Sequence, residues 1–160
     1  MDFNSLDELY KYVEKAHEDV SCNDVQEAIK EVESDVIDKE VYSKYKPSIY
    51  KRRKKEGGLS DAKNMKTHIR KNGNNIEIEI TNETPLNPPN DGISRNYRLD
   101  QAVEYAGDYY EYPMYNRDEK NYAYLKPRSF TKKTEERLSV TKEHEKAYKN
   151  TMKSKGIDVD

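Results

Sequence analysis

Met65-Lys-Thr-His-Ile-Arg-Lys71, Asn72-Gly-Asn-Asn75 and Ile76-Glu-Ile-Glu-Ile80 follow one another directly and decide the fold of this sequence. The Asn-Gly pair favours positive φ, so the middle stretch predicts a tight turn. In the last stretch isoleucines alternate with glutamates, which is the period of a half-buried strand. We therefore predict an antiparallel hairpin over about 62–82, with its isoleucine face in the core.

Two helices are predicted before the hairpin. Ser5-Leu-Asp-Glu8 matches a capping box, and apolar residues follow on one helical face, so a first helix should begin at Ser5 and end near His17. Ser21 is the next N-cap candidate, with Val20 and Val25 placed as a hydrophobic staple across it. The apolar positions that follow predict an amphipathic helix to about Asp38.

The part after the hairpin predicts a loop rich in proline, a short helix over 99–106 and a long helix over about 132–155. Gly156 stands where the glycine after a helix belongs, and Ile157 is placed to pack back on Met152 as in a Schellman motif. The predicted class is α+β in a single domain over 1–160, with an acidic helical pair (1–40), a sheet and loop region (41–130) and a C-terminal helix (131–160).

Aliphatic and phenylalanine residues are scarce, at 27 of 160 for Leu, Ile, Val and Phe together. A core this thin favours ordering by partner chains. No apolar run approaches the roughly 20 residues of a membrane span, and no secretory signal is expected. The single Cys22 fits a reducing compartment.

Charge is segregated along the chain, although the net charge is only −2. The net values are −9 for residues 1–40, +9 for 44–71, −6 for 75–120 and +4 for 121–160. Such blocks suit head-to-tail association, where an acidic face of one copy meets a basic face of the next. Neutralisation of the blocks inside one monomer explains the pattern equally well.

The sequence contains no pattern typical of catalysis, so we predict a protein that is not an enzyme. His17, His68 and His144 stand on separate predicted elements without a second ligand at metal-binding spacing. No glycine-rich phosphate loop is present, and the many carboxylates belong to solvated helix faces. We expect no metal and no cofactor.

Two clusters are candidates for partner binding. The basic segment, Lys51, Arg52, Arg53, Lys54 and Lys55 together with the adjacent Tyr50, suits an acidic protein patch or phosphates, or is a solvated loop tip. The tyrosines between 105 and 124 offer large contact area with a polar tip, so they predict an interface or, alternatively, a small satellite core. The tyrosines that we assign to an interface are Tyr109, Tyr110, Tyr112 and Tyr115.

The order of four segments resembles the tail-completion or minor tail-component family of long-tailed bacteriophages. These segments are Val41-Tyr-Ser-Lys-Tyr-Lys-Pro-Ser-Ile-Tyr-Lys-Arg-Arg53 leading to Gly57-Gly-Leu-Ser-Asp61, the strand Ile76-Glu-Ile-Glu-Ile-Thr-Asn82, the helix Leu99-Asp-Gln-Ala-Val-Glu-Tyr-Ala-Gly107, and Lys126-Pro-Arg-Ser-Phe130 before a helix ending Lys155-Gly-Ile157. The resemblance covers roughly 41–159 and implies a small antiparallel sheet packed by helices.

The resemblance also implies a role: a structural virion protein that forms a ring, by family resemblance a hexamer, at the head–tail junction. Its implied partners are further copies of itself, the connector or head-closure proteins and the tail tube, with DNA at most passing through the ring and no membrane contact. Assembly would take place in the bacterial host cytoplasm. A nucleic-acid-binding module that uses Lys51–Lys55 is the alternative.

Overall fold

The computed structural model describes residues 3–44, 46, 51–86, 98–105 and 127–159. The predicted α+β class is confirmed: a long N-terminal helix precedes a two-stranded antiparallel sheet and C-terminal helices. The chain forms two compact units. Unit 1 comprises Met1–Val32, Thr67–Thr81 and Arg137–Asp160, and unit 2 comprises Glu33–Lys66 and Asn82–Glu136. The single domain over 1–160 stays a prediction.

The N-terminal helical backbone is continuous from Leu6 to Tyr42 and is called the long helix below. It consists of α1 (Leu6–Val20), a π-helical turn (Ser21–Val25), α2 (Gln26–Ile37) and a second π-helical turn (Asp38–Tyr42). The prediction of two separate helices is therefore wrong.

Ser21 explains why that prediction fails. An N-cap residue needs extended backbone, whereas Ser21 has helical angles, φ −64° and ψ −43°, and its N–H bonds to the carbonyl oxygens of His17 and Glu18. The five-residue spacing from Val20 to Val25 matches the i to i+5 period of the π turn. Both valines contribute to one apolar cluster, so the turn keeps the apolar stripe in register rather than ending the helix.

The start of the long helix is as predicted. Ser5 has extended backbone and its Oγ accepts the Glu8 N–H at 3.2 Å. The Glu8 carboxylate reaches back by one residue further than in a standard capping box, to the Asn4 N–H at 3.0 Å. Two of the free N–H groups at this end are thereby satisfied.

The hairpin is confirmed, with β1 at Met65–Asn72 and β2 at Asn75–Asn82 and a positive φ of 59° at Gly73. Alternation in β2 is also as predicted, since its isoleucines are more buried than its glutamates. The isoleucines are nevertheless only half-buried, so the expectation that they form the core is wrong. The fully buried positions of the hairpin are its two ends, Met65 and Asn82.

The C-terminal helix is divided, which corrects the prediction of one long helix. After the short α3 (Leu99–Glu104), α4 (Phe130–Thr141) and α5 (Glu143–Ser154) are separated by Lys142, which has left-handed angles, φ 56° and ψ 32°. A left-handed residue cannot continue a right-handed helix. The predicted Schellman motif is confirmed, because Ile157 N–H bonds to Met152 O at 3.0 Å and Gly156 N–H to Lys153 O at 2.9 Å.

Each unit has its own buried side chains. In unit 1, Ala16, Val20 and Met152 form a cluster against which Val25, Tyr148, Ile157 and Val159 pack. Two polar contacts fasten its rim: Tyr12 OH donates to Lys155 O at 2.7 Å, and His17 Nδ1 lies 2.8 Å from Tyr148 OH. The buried apolar side chains of unit 2 are Val36, Ile37, Val41, Leu59, Met65 and Phe130.

Unit 2 also buries a polar network centred on Asn82. Its Nδ2 donates to Glu33 Oε1 at 3.0 Å and to Leu59 O at 2.8 Å. Its Oδ1 accepts the Thr84 hydroxyl at 2.6 Å, and its backbone oxygen accepts Arg98 Nη2. Because each buried polar atom of Asn82 has a partner, burial of this amide is compatible with a stable unit. The network ties the end of β2 to the chain on both sides of the basic segment.

Candidate interaction surface

The basic segment lies in a loop that is closed by hydrogen bonds within the chain. Gly58 N–H bonds to Lys54 O at 3.1 Å, and Asp61 Oδ2 accepts the Gly57 N–H at 2.7 Å. Gly57 has a φ of +73°, and a Cβ added at Gly58 would lie 2.1 Å from the carbonyl oxygen of Arg53. Two glycines are therefore needed here, one for its backbone angle and the other for the close approach of two chain segments.

Arg52 is turned toward the C-terminal end of the long helix. Its Nη1 donates to Tyr42 O at 3.2 Å and lies 3.5 Å from Val41 O, and its guanidinium carbon lies 5.5 Å from the centroid of the Tyr42 ring. A cation at this position donates hydrogen bonds to free carbonyl groups and interacts favourably with the negative end of the helix dipole. Contact with the ring adds a cation–π interaction.

Tyr42 connects the helix end to the loop through its hydroxyl group. The hydroxyl donates to Arg53 O at 2.8 Å and accepts the Leu59 N–H at 2.9 Å. Burial raises the pKa of the Tyr42 phenol, although the hydrogen bond from Leu59 acts in the opposite direction. The phenol is therefore held in its neutral form, which can donate.

Arg53 is also engaged within the chain. Its Nη2 donates to Pro85 O at 2.7 Å and to Leu86 O at 3.0 Å, and its side chain is half-buried. The backbone of Arg53 accepts from Tyr42, as described above. Both arginines thus hold the loop, and their replacement is expected to change the free energy of unfolding as well as any binding.

The three lysines of the segment are exposed. Lys51, Lys54 and Lys55 face solvent, and Lys54 Nζ lies 5.6 Å from the centroid of the Tyr42 ring. The segment therefore separates into two arginines directed inward and three lysines presented outward on a braced loop. Sequence spacing gave no means of making this distinction, since all five residues are adjacent.

A second surface, which the sequence analysis missed, lies at the start of α1 in unit 1. Leu6 and Tyr10 belong to the apolar residues that follow the capping box, but 71% of Leu6 and 69% of Tyr10 is exposed. Phe3 is 37% exposed and its ring centroid lies 5.3 Å from that of Tyr12. Beside this stripe, a cleft is lined by Phe3, Leu9, Tyr12, Ser154, Lys155, Gly156 and Ile157.

Carboxylates border the exposed stripe. Asp7 and Glu14 are both exposed, and they stand three residues before and four residues after Tyr10. Residues at these spacings are neighbours on a helix surface. Residues Leu6, Asp7, Tyr10 and Glu14 are called the acidic-apolar face below.

In a comparison with known protein families, the family described as YomN matches residues 5–154 of the chain. The chain belongs to the YomN family. The family name derives from a gene of a Bacillus prophage, so membership indicates a phage-associated protein. No curated protein and no solved structure matches the chain.

Other candidate residues of this YomN-family chain have these positions. Tyr50, Tyr109, Tyr110, Tyr112 and Tyr115 lie outside the described residues. Within the described ranges, no group of three or more His, Cys, Asp or Glu side chains is arranged to hold a metal ion. In the same residues, no helix is both long and apolar enough to cross a membrane. The interface role of the basic segment stays a prediction.

Proposed function

We propose that this YomN-family chain is a non-enzymatic structural protein of a tailed-phage virion, placed as a ring at the head–tail junction. The observation that carries the proposal is the family match over residues 5–154, because the family name comes from a prophage gene. The order of sequence segments shared with tail-completion proteins supports the more specific role. In this proposal the protein is assembled in the host cytoplasm and ends in the particle.

The mechanism would be geometric. Copies close a ring that offers one face to the connector or head-closure proteins and the other to the tail tube. Two features of the chain support repeated association: lysines held outward by a braced loop, and an exposed acidic-apolar face on a different element. Two different surfaces that meet head to tail generate a closed ring when the rotation per copy closes. A hexamer is the ring size that we propose, with DNA at most passing through it.

Particles of the phage that encodes the chain provide the test. We expect mass spectrometry of purified particles to detect the protein, and electron microscopy to place it as a ring between head and tail. Deletion of its gene should yield heads and tails that do not join. A protein absent from intact particles, with normal virions in the deletion, would exclude this function.

Nucleic-acid binding through Lys51, Lys54 and Lys55 is the second candidate, because these three cations are exposed and lie within five residues of one another. With both arginines engaged internally, at most three phosphate contacts are available from the segment. The log–log salt dependence on duplex DNA would then have a slope of about −2.7, at about −0.9 per contact. We expect only weak binding to DNA in fluorescence anisotropy. The nucleic-acid role would be favoured by a salt dependence with this slope that is lost when all three lysines are changed to Gln.

A further inference from the structure

We infer that the acidic-apolar face of one copy binds the exposed lysines of the basic segment of the next copy. This inference rests on the proposed function and specifies which surfaces would meet in the ring. The occupant of the face is a second copy of this chain, and the argument for it is charge complementarity between two exposed surfaces, one with carboxylates and the other with lysines.

The acidic-apolar face is suited to a lysine. Tyr10 has Leu6 and Asp7 before it and Glu14 after it as neighbours on the helix surface. An ammonium group over the Tyr10 ring would lie between two carboxylates, while its aliphatic stem would cover Leu6. Neither Asp7 nor Glu14 has a hydrogen-bond or ion-pair partner among the described residues.

The lysines are suited to such a face because their backbone is already fixed. The loop that carries Lys51, Lys54 and Lys55 is closed by the Tyr42 hydroxyl, by Arg53 and by Asp61. Presenting charges from an ordered loop lowers the entropy cost of association. Lys54 already contacts the ring of Tyr42, which is the same pairing of ammonium and tyrosine that the face offers at Tyr10.

Charge reversal with complementation tests the pairing. One variant carries Asp7→Lys and Glu14→Lys, and the other carries Lys51→Glu, Lys54→Glu and Lys55→Glu. Each variant alone would place like charges against each other, so we expect its self-association in sedimentation velocity to weaken at least about tenfold. An equimolar mixture, and a single chain with all five reversals, should associate as the wild type does.

A matched control changes the same charge elsewhere on the long helix. Glu27→Lys together with Glu31→Lys alters two exposed carboxylates and should leave association unchanged. Circular dichroism of every variant separates loss of binding from loss of folding. The five-fold variant contains every substitution of the two separate variants. If it associates as the wild type does, the loss in the separate variants cannot be due to misfolding.

Each result has a distinct meaning. The pairing would be overturned if self-association survived in both charge-reversed variants. It would also be overturned if the five-fold variant failed to restore self-association. Neither result would exclude a ring in the particle. A wild-type chain that stays monomeric at every concentration reached would also overturn the pairing. The proposed function fails on different grounds, namely absence of the protein from particles.

Discussion

The two ends of the long helix carry similar side chains in opposite arrangements. At the C-terminal end, Tyr42 contacts Arg52 and Lys54 of its own chain and its hydroxyl is bonded on both sides. At the N-terminal end, Tyr10 is exposed beside Asp7 and Glu14, which have no hydrogen-bond or ion-pair partner among the described residues. An aromatic residue beside charges therefore stabilises the fold where the chain returns over it, and stays exposed where it does not.

The largest effect on stability is expected at Gly58, in the loop that packs on the C-terminal end of the long helix. A Cβ there would lie 2.1 Å from the Arg53 carbonyl oxygen, which is backbone and cannot turn aside. We expect Gly58→Ala to lower the free energy of unfolding by about 3 kcal/mol in urea denaturation, as overpacking does at its upper range. Gly57→Ala is the control, because its Cβ meets open space and only the positive φ costs about 1 kcal/mol. Equal effects would mean that the loop is not closed against Arg53.

Tyr42→Phe should have an intermediate effect, of about 2 kcal/mol, since it removes two hydrogen bonds and leaves the Leu59 N–H without its acceptor. Tyr10→Phe, at the exposed end, should change the free energy of unfolding by less than about 0.5 kcal/mol. Thermal and urea melts of both variants check the pair. A comparable loss from the two changes would contradict the contrast between the helix ends.

The phenol of Tyr42 adds a pH dependence to this prediction. Because burial raises its pKa in the folded state, stability from the neutral phenol is fully present below the unfolded value of about 10 and is lost as the pH rises above it. The difference in stability between wild type and Tyr42→Phe should therefore shrink on going from pH 8 to alkaline pH. A difference that grows over this interval would show that folding lowers the pKa of the Tyr42 phenol instead of raising it.

The smallest effect is expected at Leu6. Leu6→Ala removes an exposed side chain and should stay within about 0.5 kcal/mol in urea melts. Leu9→Ala is the matched substitution one helical turn away, where the side chain is half-buried and lines the cleft beside Ile157. It should cost clearly more, because buried methyl groups are lost. A large loss at Leu6 would show that its face is covered within the monomer.

Local sequence patterns that favour a single structure predicted their elements correctly. Asn72-Gly73 and the alternating isoleucines define the hairpin, Ser5 caps the first helix, and Gly156 closes the last one. Each of these depends on residues within a few positions of one another. The class α+β followed from such elements.

Elements that depend on contacts between distant parts of the chain could not be predicted from local sequence. Ser21 is a good cap by type, but burial of Val20 and Val25 on one face favours continuing the helix through a π turn. Isoleucine alternation shows which face of β2 is turned inward, not how much chain covers that face. All five residues of the basic segment are cations, and only the positions of the Tyr42 and Pro85 carbonyl groups decide that Arg52 and Arg53 are the ones engaged.

Lys142 divides the C-terminal helical segment into two helices that form and open separately. A left-handed residue stops propagation of a helix, so α4 and α5 each have 12 residues and each need their own nucleus. Segments of this length are marginal in isolation, and their persistence depends on packing. The packing differs: α4 buries Phe130 in unit 2, whereas α5 buries Met152 in the cluster of unit 1. The buried anchors of the two helices thus lie in different units, although α4 from Arg137 onward belongs to unit 1 together with α5. Hydrogen exchange should therefore report the start of α4, around Phe130, and α5 as two opening events.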